Sequence, residues 1–140
     1  MTLRATADIA ASPETVFDRI SDVRRWPDWL TTITSVTPLD PGGPDAVGAR
    51  YAVVQPGLPK ATWEITDWQP GRSFTWESSG PGLQATATHV VQPQPTGTRA
   101  SLGIEWNGPL AFLARALWGR RGQRYVETEA ALLKERCEAA

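Results

Sequence analysis

His89 is the only histidine in the sequence, and the imidazole is the side chain whose ordinary pKa, about 6.5, allows proton exchange near neutral pH. It lies in an alternating segment, with Ala85 and Ala87 on its own face and Thr86 and Thr88 on the other. Small alanines beside His89 leave room for a ligand. Alternation alone does not decide which face is buried, so His89 is a candidate for ligand contact and proton exchange if its face points inward.

Tyr51 is the second candidate, because a tyrosine hydroxyl on an apolar wall can hydrogen-bond a ligand oxygen. General acid–base catalysis needs a donor and an acceptor within reach of one substrate atom, and spacing brings no such pair together here. Glu64, Glu77 and Glu105 fall opposite the tryptophans of their segments, which favours a solvated face. No residue is therefore assigned as catalytic, and His89 and Tyr51 remain the candidates.

The residue types argue against metal and cofactor sites. The chain has one histidine and one cysteine, Cys137, too few for a zinc or Rieske iron–sulfur centre. It has no glycine-rich nucleotide fingerprint, no phosphate-binding loop and no recognisable Ser/His/Asp set. We therefore expect no metal and no cofactor.

Charge and cysteine usage limit the partners and the compartment. The 14 basic and 15 acidic residues give a net charge of −1, which provides no case for nucleic-acid binding. A single cysteine cannot form an internal disulfide and fits a reducing compartment. The sequence shows no signal-like segment and no apolar run of membrane-spanning length. We expect a cytoplasmic protein without a transmembrane segment.

Two kinds of periodicity predict the elements that position these residues. Period-two alternation and β-branched runs predict strands at 3–10, 31–38, 48–55, 60–68, 72–79, 83–92 and 98–106. Ser12 and Pro13 are a typical helix start, and the helix they open ends near Ser21. A second short helix begins at Asp22 and is limited by Pro27. A long helix follows from residue 107 or 108 to about 138.

This order of elements predicts an α+β domain of residues 1–140. Its seven strands form one curved antiparallel sheet, with two short helices after the first strand and the long C-terminal helix over the concave face. One helix seldom fills the concavity of a curved sheet, so we expect an internal cavity between them.

Three segments carry a family resemblance: SPETVFDRISDVRRWPDWL at 12–30, GTRASLGIEWNGP at 97–109, and the end of the last helix, TEAALLKERCEA. They resemble the START-like helix-grip (SRPBCC) superfamily, and within it the polyketide cyclase/dehydrase group, whose opening motif has a similar tryptophan pair. The resemblance spans essentially the whole chain. It implies a cavity for lipids, sterols, hormones or polyketides, with ring closure or dehydration catalysed by a minority of members.

Apolar residues of the turn from Trp26 to Trp29, of the predicted concave face and of the last helix are the expected ligand contacts. With His89 they are Trp26, Trp29, Tyr51, Val53, Trp63, Ile65, Phe74, Trp76, Leu102, Ile104, Trp106, Leu113 and Leu117. Aromatic rings offer wide apolar area with few rotatable bonds, which suits a planar ligand. An aromatic core without a cavity is the alternative, and for Trp26 and Trp29 the core and cavity-lining roles are compatible.

The last helix carries four arginines within ten residues: Arg115, Arg120, Arg121 and Arg124. They form either a solvated face paired with acids such as Glu127 or a contact for a phosphate-bearing or acidic partner. Gly119 and Gly122 lower helix propensity there and suggest a bend that opens the cavity.

Three functions stay open from the sequence. The first is binding of a small hydrophobic molecule, aromatic or polyketide-like. The second is a cofactor-free polyketide cyclase or dehydratase that uses the same cavity. The third is a protein-interaction module without a ligand. A homodimer is also left open.

Overall fold

The computed structural model describes residues 2–139, so residues 1 and 140 of the predicted domain lie outside the described part. The strands are β1 (Thr2–Ile9), β2 (Ser35–Pro38), β3 (Arg50–Val54), β4 (Ala61–Gln69), β5 (Ser73–Gly80), β6 (Leu83–Gln94) and β7 (Gly97–Asn107). The helices are α1 (Pro13–Ser21), a 3-10 helix (Val23–Asp28) and α2 (Ala111–Glu138).

The seven strands form one antiparallel sheet in the order β1-β7-β6-β5-β4-β3-β2. Strands β2 to β7 follow each other as a meander, and β1 pairs with β7 at the far edge. The long helix α2 packs mainly on β1 and β7. The predicted helix-grip fold is thus confirmed, with α2 closest to one side of the curved sheet.

Local sequence signals explain the first helices. Ser12 Oγ accepts a hydrogen bond from the Thr15 backbone N–H at 3.2 Å, which caps α1, and Pro13 is its first residue. The 3-10 helix extends through Pro27, whereas the prediction ended it before that proline. The N–H groups of Trp29 and Leu30 both bond to the Trp26 carbonyl, so the turn continues past a residue that cannot donate.

Two predicted boundaries differ from the structure: a turn replaces the start of one predicted strand, and strand pairing extends into one predicted loop. Residues 31–34 were predicted as strand, but the Ile33 N–H bonds to the Leu30 carbonyl and β2 begins only at Ser35. Residues 93–97 were predicted as a loop, but β6 and β7 pair as far as Gln94 and Gly97. Gly97 has φ +142°, and a Cβ there would lie 2.3 Å from the Ile9 carbonyl oxygen, so only glycine fits.

A β-bulge between Ile65 and Asp67 changes the face of Trp68. Strict alternation put Trp68 on the opposite face from Ile65, at an edge or hairpin. The extra residue returns Trp68 to the concave side, where its ring centroid lies 5.6 Å from that of Phe74 and 5.5 Å from that of Phe17 on α1. Trp68 therefore packs α1 onto the sheet.

The helix α2 begins at Ala111, later than predicted, because Asn107 ends β7 and Gly108 has a non-helical φ of +105°. It is helical without interruption through Gly119 and Gly122. A Cβ at Gly122 would lie 2.7 Å from Leu3 Cδ1. Gly122 therefore serves the close approach of α2 to the sheet. No helix within residues 2–139 is both long and apolar enough to cross a bilayer.

Candidate functional site

A cavity of about 50 Å³ lies between α2 and the concave face of the sheet. Four strands contribute large side chains to its wall: Trp63 from β4, Trp76 from β5, His89 from β6 and Trp106 from β7. The opposite wall comes from Gly122, Val126 and Glu129 of α2. Because α2 packs mainly on β1 and β7, this space remains beneath it on the side of β4 to β6.

The cavity adjoins a groove of about 350 Å³ at the surface, which we call the mouth groove. The two spaces share six lining residues: Val53, Gln55, Leu58, Trp63, Ile104 and Trp106. The loop between β3 and β4 and the hairpin between β5 and β6 form its sides, and Trp118 of α2 lines it as well.

The aromatic side chains behind the cavity pack on one another. The ring centroid of Trp26 lies 5.1 Å from that of Trp76, with the planes at 72°. Trp63 lies 5.5 Å from Trp76. Trp26 also donates from Nε1 to the Ile20 carbonyl at 3.0 Å, which fixes its ring. These contacts hold the wall in place without a ligand.

His89 points inward, so the face of Ala85 and Ala87 is the buried one. Its ring stacks on Phe74 with centroids 4.0 Å apart and planes at 7°. Nδ1 lies 3.1 Å from the Phe74 carbonyl oxygen, and because a carbonyl only accepts, Nδ1 carries the proton. Burial lowers the pKa of His89 to about 4. At neutral pH the ring is uncharged, and its other nitrogen, Nε2, is an acceptor.

Glu129 is a cavity residue that the sequence interpretation missed. Its carboxyl accepts a hydrogen bond from the Thr32 hydroxyl at 2.6 Å through Oε2. Burial raises its pKa to about 7, which the bond from Thr32 offsets only in part. Among the residues that line the cavity there is no lysine or arginine to pair with it. Glu129 therefore exchanges a proton near neutral pH.

The loop between β3 and β4 is held against α2 at the cavity rim. The Tyr125 hydroxyl donates to the Pro56 carbonyl, and Arg121 Nη1 donates to the Gly57 carbonyl at 2.7 Å. Gln55 Nε2 donates to the Thr32 carbonyl at 3.4 Å. Leu58 of this loop lines both the cavity and the mouth groove. The loop thus contributes to the lining of both spaces.

Eight of the predicted ligand contacts line the cavity: Trp26, Val53, Trp63, Trp76, His89, Leu102, Ile104 and Trp106. The structure places Ile65 and Phe74 in the filled core behind it, both with 0% of their surface exposed. Trp29 is half-buried and lies at a surface crevice beside Arg25 and Arg136, away from the cavity.

Leu113 and Leu117 were predicted to contact the ligand, but their side chains are 42% and 61% exposed. The buried side of α2 near its start is formed by Ala111 and Ala114. Small residues there allow α2 to approach the sheet closely, and the leucines point away from it.

Tyr51 does not present its hydroxyl to the cavity. Its ring is fully buried, 5.9 Å from Trp76, and its hydroxyl donates to Asp45 Oδ1. Arg24 Nε donates to the same carboxyl oxygen at 3.0 Å. Burial and this hydrogen bond raise the pKa of Tyr51 above its ordinary value. Tyr51 therefore holds the loop before β3.

The four clustered arginines of α2, Arg115, Arg120, Arg121 and Arg124, have separate environments. Arg121 bonds to Gly57 as described, and Arg120 and Arg124 are exposed. None of the ion pairs found among residues 2–139 includes any of the four, so the predicted pairing with Glu127 is absent. Glu127 instead accepts a hydrogen bond from Gln123.

Comparison with known proteins supports one family. Residues 1–138 match the family described as polyketide cyclase / dehydrase and lipid transport. The uncharacterized protein Rv2574 of Mycobacterium tuberculosis is 36% identical over 100 residues, which cover 69% of this chain and 59% of that protein. The chain thus aligns with less than two thirds of that relative's length.

Two solved structures show the same fold. The protein TTHA0849 from Thermus thermophilus superposes with a TM-score of 0.72 at 23% identity, over 98% of this chain and 97% of that one. The di-domain ARO/CYC protein StfQ from the steffimycin biosynthetic pathway gives a TM-score of 0.75 at 12% identity, over 98% of this chain and 50% of that one. With the match over residues 1–138, the chain belongs to the polyketide cyclase / dehydrase and lipid transport family.

Proposed function

We propose that this protein binds a small hydrophobic molecule with an aromatic ring, seated in the mouth groove and reaching into the cavity. The observation that carries the proposal is that the two spaces lie side by side, with Trp63 and Trp106 lining both. Apolar cavities that accept benzene measure about 150 Å³, so the cavity of about 50 Å³ is too small for a ring by itself. The groove of about 350 Å³ has the room.

Ligand-observed NMR titration with 2-methoxynaphthalene tests this proposal. Ala85 lines the mouth groove, and Ala85→Phe places a ring in the space that the ligand needs. We expect the variant to lose about tenfold or more in affinity, or about 1.4 kcal/mol of binding free energy.

The matched control is Thr86→Phe on the outer face of the same strand, which should bind the probe as the unmodified protein does. Far-UV circular dichroism of both variants checks that they fold. Equal affinity of the two variants, or no binding of either 2-methoxynaphthalene or 2-naphthol to the unmodified protein, contradicts the proposal.

A cofactor-free cyclase or dehydratase is the second candidate, because two titratable groups with shifted pKa values line one cavity. Below pH 7 Glu129 is mainly a neutral acid and a proton donor, while His89 stays a free base down to about pH 4. Such a pair provides general acid and general base for enolisation or loss of water. Turnover of a polyketide-like substrate that survives unchanged in His89→Phe and Glu129→Gln contradicts this function.

A further inference from the structure

The hydrogen-bonding groups around Glu129 are largely engaged with the protein. The Thr32 hydroxyl donates to Glu129 itself, and the Tyr125 hydroxyl donates to Pro56. Gln55 donates to the Thr32 carbonyl. The bond from Thr32 uses Glu129 Oε2, so Oε1 is left for a ligand.

On the opposite wall, the N–H group of His89 is already used in a hydrogen bond to the protein. Nδ1–H donates to the Phe74 carbonyl, and the stacking of the ring on Phe74 fixes its plane. The nitrogen that remains, Nε2, carries a lone pair in this tautomer. The sheet wall and the helix wall of the cavity therefore each present an acceptor, and an ionised Glu129 is an acceptor only.

The walls around these two acceptors are aromatic and hold no cation. Trp26, Trp63, Trp76 and Trp106 line the cavity, no lysine or arginine is among its lining residues, and Arg121 of α2 is bonded to Gly57. A buried carboxylate is costly unless a partner donates to it. Thr32 donates to Oε2 alone, so a ligand that donates to Oε1 lowers this cost further, whereas a ligand whose oxygens only accept does not.

From this geometry we infer that the cavity selects aromatic ligands that carry hydroxyl groups, with Glu129 accepting a hydrogen bond from the ligand hydroxyl and His89 Nε2 providing a second acceptor on the facing wall. The inference rests on the proposed function and narrows its ligand class to phenols and enols. Ethers, esters and quinones of the same ring size are disfavoured, because they leave Glu129 Oε1 without a donor.

Two probes that share one ring system test the selection. 2-Naphthol and 2-methoxynaphthalene differ by the hydroxyl hydrogen, which a methyl group replaces. The measured quantity is the ratio of their affinities in ligand-observed NMR titrations. Hydrogen bonds to charged groups are stronger than neutral ones, so we expect the unmodified protein at pH 8 to prefer 2-naphthol by about tenfold.

The preference should depend on pH in a direction that the structure fixes. Thr32 donates to Glu129, the other polar residues that line the cavity are Gln55, Thr88, His89 and Tyr125, and no lysine, arginine, aspartate or second glutamate lines it. A hydroxyl donor favours the ionised carboxylate, so the preference should rise by up to about tenfold from pH 6 to pH 8 as Glu129 loses its proton. The affinity for 2-methoxynaphthalene should not rise with it.

Two variants test whether the preference for 2-naphthol depends on Glu129 of the helix wall and on His89 of the sheet wall. Glu129→Met keeps length and removes the acceptor, and His89→Phe keeps a flat ring on Phe74 and removes Nε2. The first should bring the affinity ratio close to one and the second should lower it. Because the readout is a ratio, a general loosening of the cavity affects both probes and leaves it unchanged.

The outcomes separate the two proposals. If the unmodified protein binds both probes equally, or if neither variant changes the ratio, the hydroxyl selection is overturned while the hydrophobic cavity stands. This result on the unmodified protein needs no variant to fold. If neither probe binds, the proposed function itself is overturned and the selection falls with it.

Discussion

Trp26→Ala is expected to lower the free energy of unfolding by about 3–5 kcal/mol, the usual range for truncation of a buried aromatic side chain. Only 3% of Trp26 is exposed, and its ring centroid lies 5.1 Å from Trp76 and 5.6 Å from His89. The variant enlarges the existing cavity and leaves the Ile20 carbonyl without the indole N–H that bonds to it now. Urea unfolding followed by circular dichroism measures the loss.

Trp29→Ala is the matched control, because it removes the same side chain three residues away. Trp29 is half-buried and lies at the crevice beside Arg25, outside the cavity. We expect a loss nearer to the ordinary value of about 1 kcal/mol, and unchanged binding of 2-methoxynaphthalene. Equal losses in the two variants would show that the position of the ring at the cavity does not set the energy.

Glu129→Gln is expected to stabilise the protein at pH 8 by up to about 3 kcal/mol and to have little effect at pH 4. The pKa of Glu129 is raised from 4.5 to about 7, so the folded protein holds this proton more tightly than the unfolded chain. The ionised carboxyl therefore costs stability progressively as pH rises from 4.5 to 7. A neutral amide of the same shape avoids that cost and can still accept from Thr32.

The control for this prediction is Glu127→Gln, two residues earlier on the same helix and exposed. Thermal unfolding of both variants between pH 4 and pH 8 provides the measurement. A gain at pH 8 that is the same in both variants points to net charge instead of burial. A gain for Glu129→Gln that is equally large at pH 4 contradicts the raised pKa.

Much of the fold followed from periodicity and capping. The alternating segments identified all seven strands, and Ser12 with Pro13 located α1. The faces were harder to assign. A bulge between Ile65 and Asp67 reverses which residues of β4 point to the concave face, and no residue type in ATWEITDWQ indicates it. The orientation of His89 likewise depended on register, because both faces of its strand are partly apolar.

The predicted ligand contacts on the helix side of the site differ from the structure for another reason. Hydrophobicity favours Leu113 and Leu117 as ligand contacts, whereas the phase of the buried stripe is set by small residues such as Ala114 and Gly122. Glu129 lies seven residues after Gly122 and therefore on this stripe. Continuing the helical period from the glycine would have found Glu129. Its bond to Thr32 depends on a loop that was predicted as strand.

The opposite pKa shifts of His89 and Glu129 make folding equivalent to an internal proton transfer. Near pH 5.5 an unfolded chain holds a proton on the imidazole and none on the carboxyl, because their ordinary pKa values are 6.5 and 4.5. The folded chain holds the reverse, with a neutral imidazole and a neutral acid. Folding thus moves one proton from His89 to Glu129 with no net uptake. The pair therefore adds no pH dependence to the free energy of unfolding between pH 4.5 and 6.5. The cavity has zero net charge in that interval. Replacement of His89 or Glu129 alone should reveal the dependence of the free energy of unfolding on pH that the other residue cancels in the unmodified protein.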